Sequence, residues 1–173
     1  KDFEDWSLNY HLSPVRANIL RGLSLKPGGR VLEVGAGCGV ITRLLGDSGF
    51  EVDAIEGSQT RATLAALRCS GLANVSIVRA DFNEVTLPNE GYDVVLFIGV
   101  LEYARRFSPQ FENSVEAVVH MLRRASRALT PGGVIVVAIE NRMGAKYLFG
   151  GAEDHLSRPW AGIAGYPRLG SET

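Results

Sequence analysis

Three glycines spaced by two, Gly35, Gly37 and Gly39, follow the largely apolar run Val31–Val34. A helical pattern, Val40, Ile41, Leu44 and Leu45, begins at once behind them. Residues of this type at this spacing make a tight turn between a strand and a helix. Glycine allows positive φ there and lets a ligand approach bare backbone. The first-turn amides of the following helix have no partners within the helix, so the spacing predicts a site for polar or anionic ligand groups. Two acids flank the turn: Glu33 lies two residues before the first glycine, and Glu56 ends the next strand-like run.

Two ligand classes fit such a turn. A dinucleotide site wants glycine at the sixth motif position, under the pyrophosphate. That position is Val40 here, so the third glycine falls one residue early. Glu33 would repel a pyrophosphate and suits a ligand that carries an ammonium group. Glu56 does not discriminate. It lies 56 − 35 = 21 residues after Gly35, and a carboxylate there binds ribose hydroxyls in either class. A solvated strand end is the plain alternative for Glu56, as an Asx turn is for Asp81. Asp93, opening a strand, sits at the wrong end of a sheet for chemistry and reads as a structural cap. Cys38 reads as a small turn residue.

The elements that must carry these residues can be read in order. Residues 1–12 are mixed and aromatic (Phe3, Trp6, Tyr10). Ser13-Pro14 reads as a cap and first helical residue, with a helix to about Arg21 that has Val15 and Ile19 on one face. Strands are expected at Arg30–Val34, Glu51–Glu56, Val75–Ala80, Tyr92–Val100 and Val134–Ile139. A helix follows the glycine turn, and another, capped by Ser58, runs to Cys69 with Leu64, Leu67 and its alanines inward. The strongest helix covers Glu112–Leu129, with Val115, Val118, Val119, Leu122 and Leu129 as its apolar stripe. Thr130-Pro131-Gly132-Gly133 reads as a sharp turn. Strands alternating with helices, the strands reading as buried, call for a Rossmann-like α/β doubly wound sheet of five mainly parallel strands with helices on both faces. Ligands of such sheets bind beyond the carboxyl ends, where the strand order reverses.

The 173 residues suffice for one domain with a real core. A net charge of −1 argues against nucleic acid held on a broad basic face; the pairs Arg105-Arg106 and Arg123-Arg124 read as solvated helix faces. Two cysteines are too few for a disulfide scaffold. With a charged N-terminus, and with no apolar run near the roughly 20 residues that span a bilayer, the expectation is a cytoplasmic protein without membrane insertion.

VLEVGAGCG, residues 31–39, resembles the first motif of the class I S-adenosylmethionine-dependent methyltransferases. The later signals are similar in order: Glu56, then Ala80-Asp81-Phe82, Tyr92-Asp93, and Leu129-Thr130-Pro131-Gly132-Gly133. The resemblance covers about residues 30–140. It implies strand order 3-2-1-4-5, S-adenosyl-L-methionine as methyl donor, S-adenosyl-L-homocysteine as product, and no metal. It further implies that the backbone around Gly35, Ala36, Gly37 and Gly39 contacts the methionyl part of the cofactor, with Glu33 near its amino group. Glu56, followed by Gly57, would hold the ribose hydroxyls. Asp81 would accept from the adenine amino group and the Phe82 amide would face the ring. Val100 and Leu101 would line the floor under the sulfonium. The family's last two strands are not found after Glu140, so either a truncated C-terminal region or a sheet that stops at five strands is expected.

The resemblance leaves the acceptor open. The Asn- or Asp-Pro-Pro-aromatic motif of amino-group methyltransferases is missing; the equivalent stretch is Ile98-Gly99-Val100-Leu101-Glu102-Tyr103. This favours small-molecule members. Positioning supplies most of such a reaction, and a hydroxyl acceptor gains from a base. His155 and Asp154 are the first candidates for that base, then Glu102 and His11; His120 reads as a surface residue. Glu140-Asn141-Arg142, Gly151-Ala152-Glu153-Asp154-His155, Arg158-Pro159 and Gly165-Tyr166-Pro167 also resemble a subgroup of bacterial methyltransferases linked to glycosyltransferases and surface-glycan synthesis. So does Tyr10-His11-Leu12-Ser13-Pro14-Val15-Arg16. That resemblance implies a glycan hydroxyl as acceptor. The expected organisation is a helical segment over the cofactor site (1–29), a cofactor-binding core (30–140) and an acceptor-side loop or lid (141–173). A nicotinamide-dependent oxidoreductase and a non-catalytic module of the same fold are the competing functions.

Overall fold

The structure, a computed structural model, describes residues 13–108, 110–139, 141, 143–152 and 158–160. It divides into two compact units, Lys1–Ala138 and Ile139–Thr173. The first holds a five-stranded sheet of β1 (Arg30–Val34), β2 (Glu51–Glu56), β3 (Val75–Arg79), β4 (Tyr92–Ile98) and β5 (Leu129–Ala138). Their order is β3-β2-β1-β4-β5 and every pairing is parallel. The chain reverses direction across the sheet between β1 and β4, so the loops after these two strands open on one crevice.

Alternation along the central strands builds two cores. Leu32 and Val34 of β1 and Val95 and Phe97 of β4 face one side, with Ala117, Met121 and Ala125. Val31 and Val94, Leu96 and Ile98 face the other, with Leu20, Ile41 and Leu45. A period of two with both faces apolar is what a strand covered by helices on both sides requires. Helix α1 (Val40–Asp47) and the 3-10 helix Pro14–Leu20 supply the second core; α4 (Ser114–Ala128) supplies the first. Between β2 and β3 runs α2 (Gln59–Arg68), and the short α3 (Ala104–Phe107) precedes α4.

Several expected faces differ. On the 3-10 helix, Val15 and Ile19 are exposed and Leu20 is buried. On α2, Leu64 and Leu67 are exposed while Ala62 and Ala65 are buried. On α4, Val115 is 71% exposed, and the buried stripe is Ala117, Met121, Ala125 and Ala128. On α2 and α4 the buried positions are mostly alanines, and small side chains fit where backbones come together. An ideal Cβ built on Gly39 would lie 2.8 Å from the Cα of Ala65, which measures how tightly α1 meets α2. β3 and β5 are half-exposed rather than buried; among the described residues each has a strand neighbour on one side only. Thr130–Gly133 is not a free turn: it lies inside β5, where the register slips from Tyr92↔Leu129 to Val94↔Val134. Asp93 is structural. Its Oδ2 accepts from the backbone N of Arg30 at 2.8 Å, tying the amino ends of β4 and β1.

In the second unit a short helix, α5 (Ala145–Leu148), ends in Phe149 and Gly150, and Ala152 bridges antiparallel to Pro159. No helix among the described residues is long and apolar enough to cross a membrane.

Candidate functional site

Because the strands are parallel, their carboxyl ends lie along one edge. That edge carries the Gly35–Gly39 loop after β1, Glu56 and Gly57 ending β2, Asp81 and Phe82 after β3, and Gly99–Leu101 after β4. The sheet thus brings together the described residues singled out by sequence, with Glu33 inside β1 beneath the loop. His155, Asp154 and His11 lie outside the described residues. Glu102 is exposed on the 3-10 helix Leu101–Tyr103. His120 is half-buried, its ring 5.1 Å from that of Phe111.

All three loop glycines have left-handed φ: +77° at Gly35, +56° at Gly37 and +76° at Gly39. They do different work. A Cβ on Gly35 would sit 2.4 Å from Cγ2 of Val100, so the loop rests directly on the residue after β4. Gly39 is held against Ala65. Only at Gly37 would a Cβ meet nothing within 4 Å. This is the bare backbone that faces open space.

Four amides of the loop are taken up within the fold. The N–H groups of Gly35 and Ala36 donate to Ile55 O at 2.8 and 3.1 Å, and Gly39 N donates to Ala36 O at 2.9 Å. Gly37 N donates to Oε2 of Glu56 at 2.8 Å. The end of β2 takes up three of these four donors, since buried N–H groups must be satisfied. What the loop offers a ligand is glycine backbone beside two carboxylates. Glu33 repels a pyrophosphate and suits a ligand that carries an ammonium group; Glu56 suits a ribose.

Glu33 is 3% exposed. Its Oε2 accepts from the hydroxyl of Thr42 at 2.5 Å, from the first turn of α1. Burial pushes its carboxyl up to about 7; the Thr42 hydrogen bond and the Arg16 charge oppose this, and the Glu56 charge adds to it. A buried acid held near neutrality gains most from a nearby cation. Glu56, also 3% exposed, is held by its own surroundings: Gly37 N on Oε2, and Ser58 N (2.8 Å) and Arg61 Nε (3.0 Å) on Oε1. Its reading as a solvated strand end does not hold.

Asp81 forms an Asx turn, its Oδ1 accepting from Asn83 N at 2.8 Å. One oxygen is spent in shaping the loop, and Oδ2 remains. Phe82 is buried and stacks edge-on against Phe97, with ring centroids 5.5 Å apart. Val100 and Leu101 are buried in the same core. Sequence reasoning missed two arginines here. Arg124, read as solvated, is half-buried; its Nη2 donates to the carbonyls of Phe82 (3.1 Å) and Val85 (2.5 Å) and pins the loop after β3. Arg61 forms an ion pair with Glu56. Its position three residues after Ser58, in the first turn of a capped helix beside an acid, was the available signal.

A profile described as methyltransferase domain matches residues 9–167. The chain is 30% identical over 143 residues to a ubiquinone biosynthesis O-methyltransferase of Azoarcus sp. (strain BH72), covering 81% of this chain and 56% of the relative. It is 30% identical over 115 residues to a demethylmenaquinone methyltransferase of Tropheryma whipplei (strain Twist), covering 66% and 43%. The chain spans about half the length of these curated relatives. Among solved structures, a SAM-dependent methyltransferase from Thiobacillus denitrificans in complex with S-adenosyl-L-homocysteine is 26% identical with a TM-score of 0.57, over 72% of this chain and 48% of that one. With the profile spanning nearly the whole chain and the sheet order shared, the chain belongs to the class I S-adenosylmethionine-dependent methyltransferase family.

Proposed function

We propose that this chain is the cofactor-binding part of an S-adenosyl-L-methionine-dependent methyltransferase that acts on a small-molecule hydroxyl. The observation that carries the reading is the pairing of two buried carboxylates, Glu33 and Glu56, with the glycine loop between β1 and α1. Glu56 fits a ribose, which both ligand classes carry, and Glu33 fits the ammonium group that a dinucleotide lacks.

When bound, S-adenosyl-L-methionine supplies a methyl group on a positively charged sulfur and leaves as S-adenosyl-L-homocysteine. The chain's own residues bind and orient. Glu33 takes the amino group, and Gly35, Ala36, Gly37 and Gly39 give close backbone contact. Glu56 and Gly57 receive the ribose. Asp81 accepts from the adenine amino group through Oδ2, the Phe82 amide faces the ring, and Val100 and Leu101 close the floor. His155 and Asp154 take the acceptor's proton. Placing the acceptor in line with the sulfur–methyl bond does most of the catalytic work.

O-methylation of a small molecule is supported by the relatives' names. The finer reading, a glycan-linked hydroxyl shaped by residues 141–167, is supported by the resemblance of Asn141, Gly151-Ala152 and Arg158-Pro159 to the surface-glycan subgroup. The cytoplasm is the proposed setting, in line with two buried free thiols, Cys38 and Cys69.

Calorimetry tests the core of this. Wild type is expected to bind S-adenosyl-L-methionine saturably, and Glu56→Ala to weaken it about tenfold or more, with thermal melting as the folding control. A folded wild type that binds nothing at millimolar cofactor, or binds NADH instead, overturns the reading. Transfer assays on small-molecule and glycan hydroxyls, with the longer protein as control, separate an enzyme from a non-catalytic module.

A further inference from the structure

Helix α4 carries three arginines, and the fold treats one of them differently. Arg123 and Arg127 are exposed, while Arg124 is half-buried. Its Nη2 donates to the carbonyls of Phe82, at 3.1 Å, and Val85, at 2.5 Å. Its guanidinium carbon lies 5.4 Å from the centre of the Phe82 ring. Hydrogen bonds from a charged donor are roughly twice as strong as neutral ones, so the helix clamps the loop after β3 firmly.

The clamp reaches Asp81 through one peptide unit. The Phe82 carbonyl and the Asn83 N–H belong to the same rigid plane. Arg124 holds the carbonyl end, and the N–H end donates to Oδ1 of Asp81 at 2.8 Å. Turning that plane would move both partners at once. Arg124 therefore fixes the direction from which the carboxylate is gripped, and with it which oxygen is left over. The loop has a second anchor in the Asn83 side chain, whose Nδ2 donates to Phe107 O (2.9 Å) and Ser108 Oγ (3.1 Å) at the end of α3. That anchor acts on a side chain, whereas Arg124 acts on the peptide.

We propose that Arg124 is a positioning residue for adenine selectivity: by clamping the Phe82–Asn83 peptide it sets the Asp81 carboxylate so that one oxygen accepts the amino group of the base. This rests on the reading of Asp81 as the adenine acceptor. Arg124 acts through the peptide and not by touching the base.

The test compares S-adenosyl-L-homocysteine with its 6-deamino analogue, purine in place of adenine, by calorimetry on the full chain. The analogue lacks only the amino group. Wild type is expected to bind it about tenfold weaker or more, the loss of one hydrogen bond to a charged group. In Arg124→Met the peptide is free to turn, and the ratio falls to about threefold or less. Both bonds come from one nitrogen, so in Arg124→Lys an ammonium with its three donors can serve both carbonyls and keep most of the ratio. A merely structural role would lower the melting temperature and weaken both ligands alike, leaving the ratio intact. A ratio that survives in folded Arg124→Met, or that Arg124→Lys does not hold above it, overturns the proposal. If Arg124→Met does not fold or binds neither ligand, Arg124→Gln decides: its shorter, uncharged amide loosens the clamp, and an unchanged ratio is then the refuting result. A wild type that binds both ligands equally, or an Asp81→Ala variant that keeps the ratio, refutes the adenine reading of Asp81 and this proposal with it. A ratio lost in Asp81→Ala but kept in Arg124→Met refutes this proposal alone.

Discussion

Glu33 is the residue whose environment says most about the ligand. Its carboxyl rises from 4.5 to about 7 on burial. A raised acid binds its proton more tightly in the folded state. The stability this contributes is fully present below about pH 4.5 and is lost as pH rises through about 7. The shift corresponds to roughly 3 kcal/mol. Glu33→Gln removes the titration, so relative to the variant the wild type should lose stability on that order as pH is raised across this window. Urea unfolding at several pH values measures it, and parallel profiles would sink the idea. A bound ammonium offsets the same cost, so wild-type affinity for S-adenosyl-L-homocysteine should climb as pH rises through about 7, while that of Glu33→Gln stays flatter.

At the level of elements, the loop between β1 and α1 is held from below and from the side. Gly35 meets Val100 and Gly39 meets Ala65. Gly35→Ala forces a side chain into left-handed φ and against Val100, and is expected to cost about 2–4 kcal/mol. Val100→Ala in the same chain should recover the contact part and not the backbone part. Gly37→Ala, with open space around its Cβ, should cost only about 1–2 kcal/mol. Denaturant unfolding of the three variants checks the order; equal costs at Gly35 and Gly37 would contradict it. The strands, the glycine turn and the Ser58 cap were legible in the sequence, because alternation, spacing and caps are local patterns. The helix faces were less so. Apolar bulk marks a stripe only where helices stand apart. Where they come close, alanine is the buried residue and Leu64, Leu67 and Val115 are left at the rim. Arg124 looked like one of a solvated pair because its partners, the carbonyls of Phe82 and Val85, lie 42 and 39 residues away.

At the scale of the molecule, the chain comprises two units, Lys1–Ala138 and Ile139–Thr173. On the proposed division of labour the first binds the methyl donor and the second shapes the acceptor side. A chain ending at Ala138 keeps all five strands, including the Gly99 N to Ala138 O hydrogen bond at 2.8 Å. It should retain S-adenosyl-L-homocysteine binding and lose methyl transfer in any assay where the longer protein is active. A truncated chain that keeps its native circular dichroism yet no longer binds would reassign residues 139–173 to the cofactor.

The sequence by itself determined the order and type of the elements, the place of the turn, and the two acids beside it. These follow from periodicity along the chain and from the conformational range of glycine, which neighbouring residues set. Only the tertiary structure decided what those groups are free to do. It spent the Gly35, Ala36 and Gly37 amides on Ile55 and Glu56, buried Glu33 until its carboxyl was pushed up to about 7, and paired Arg61 with Glu56. Each of these depends on which distant donor the fold brings within hydrogen-bond reach and on how much water it removes, and neither is written in local spacing.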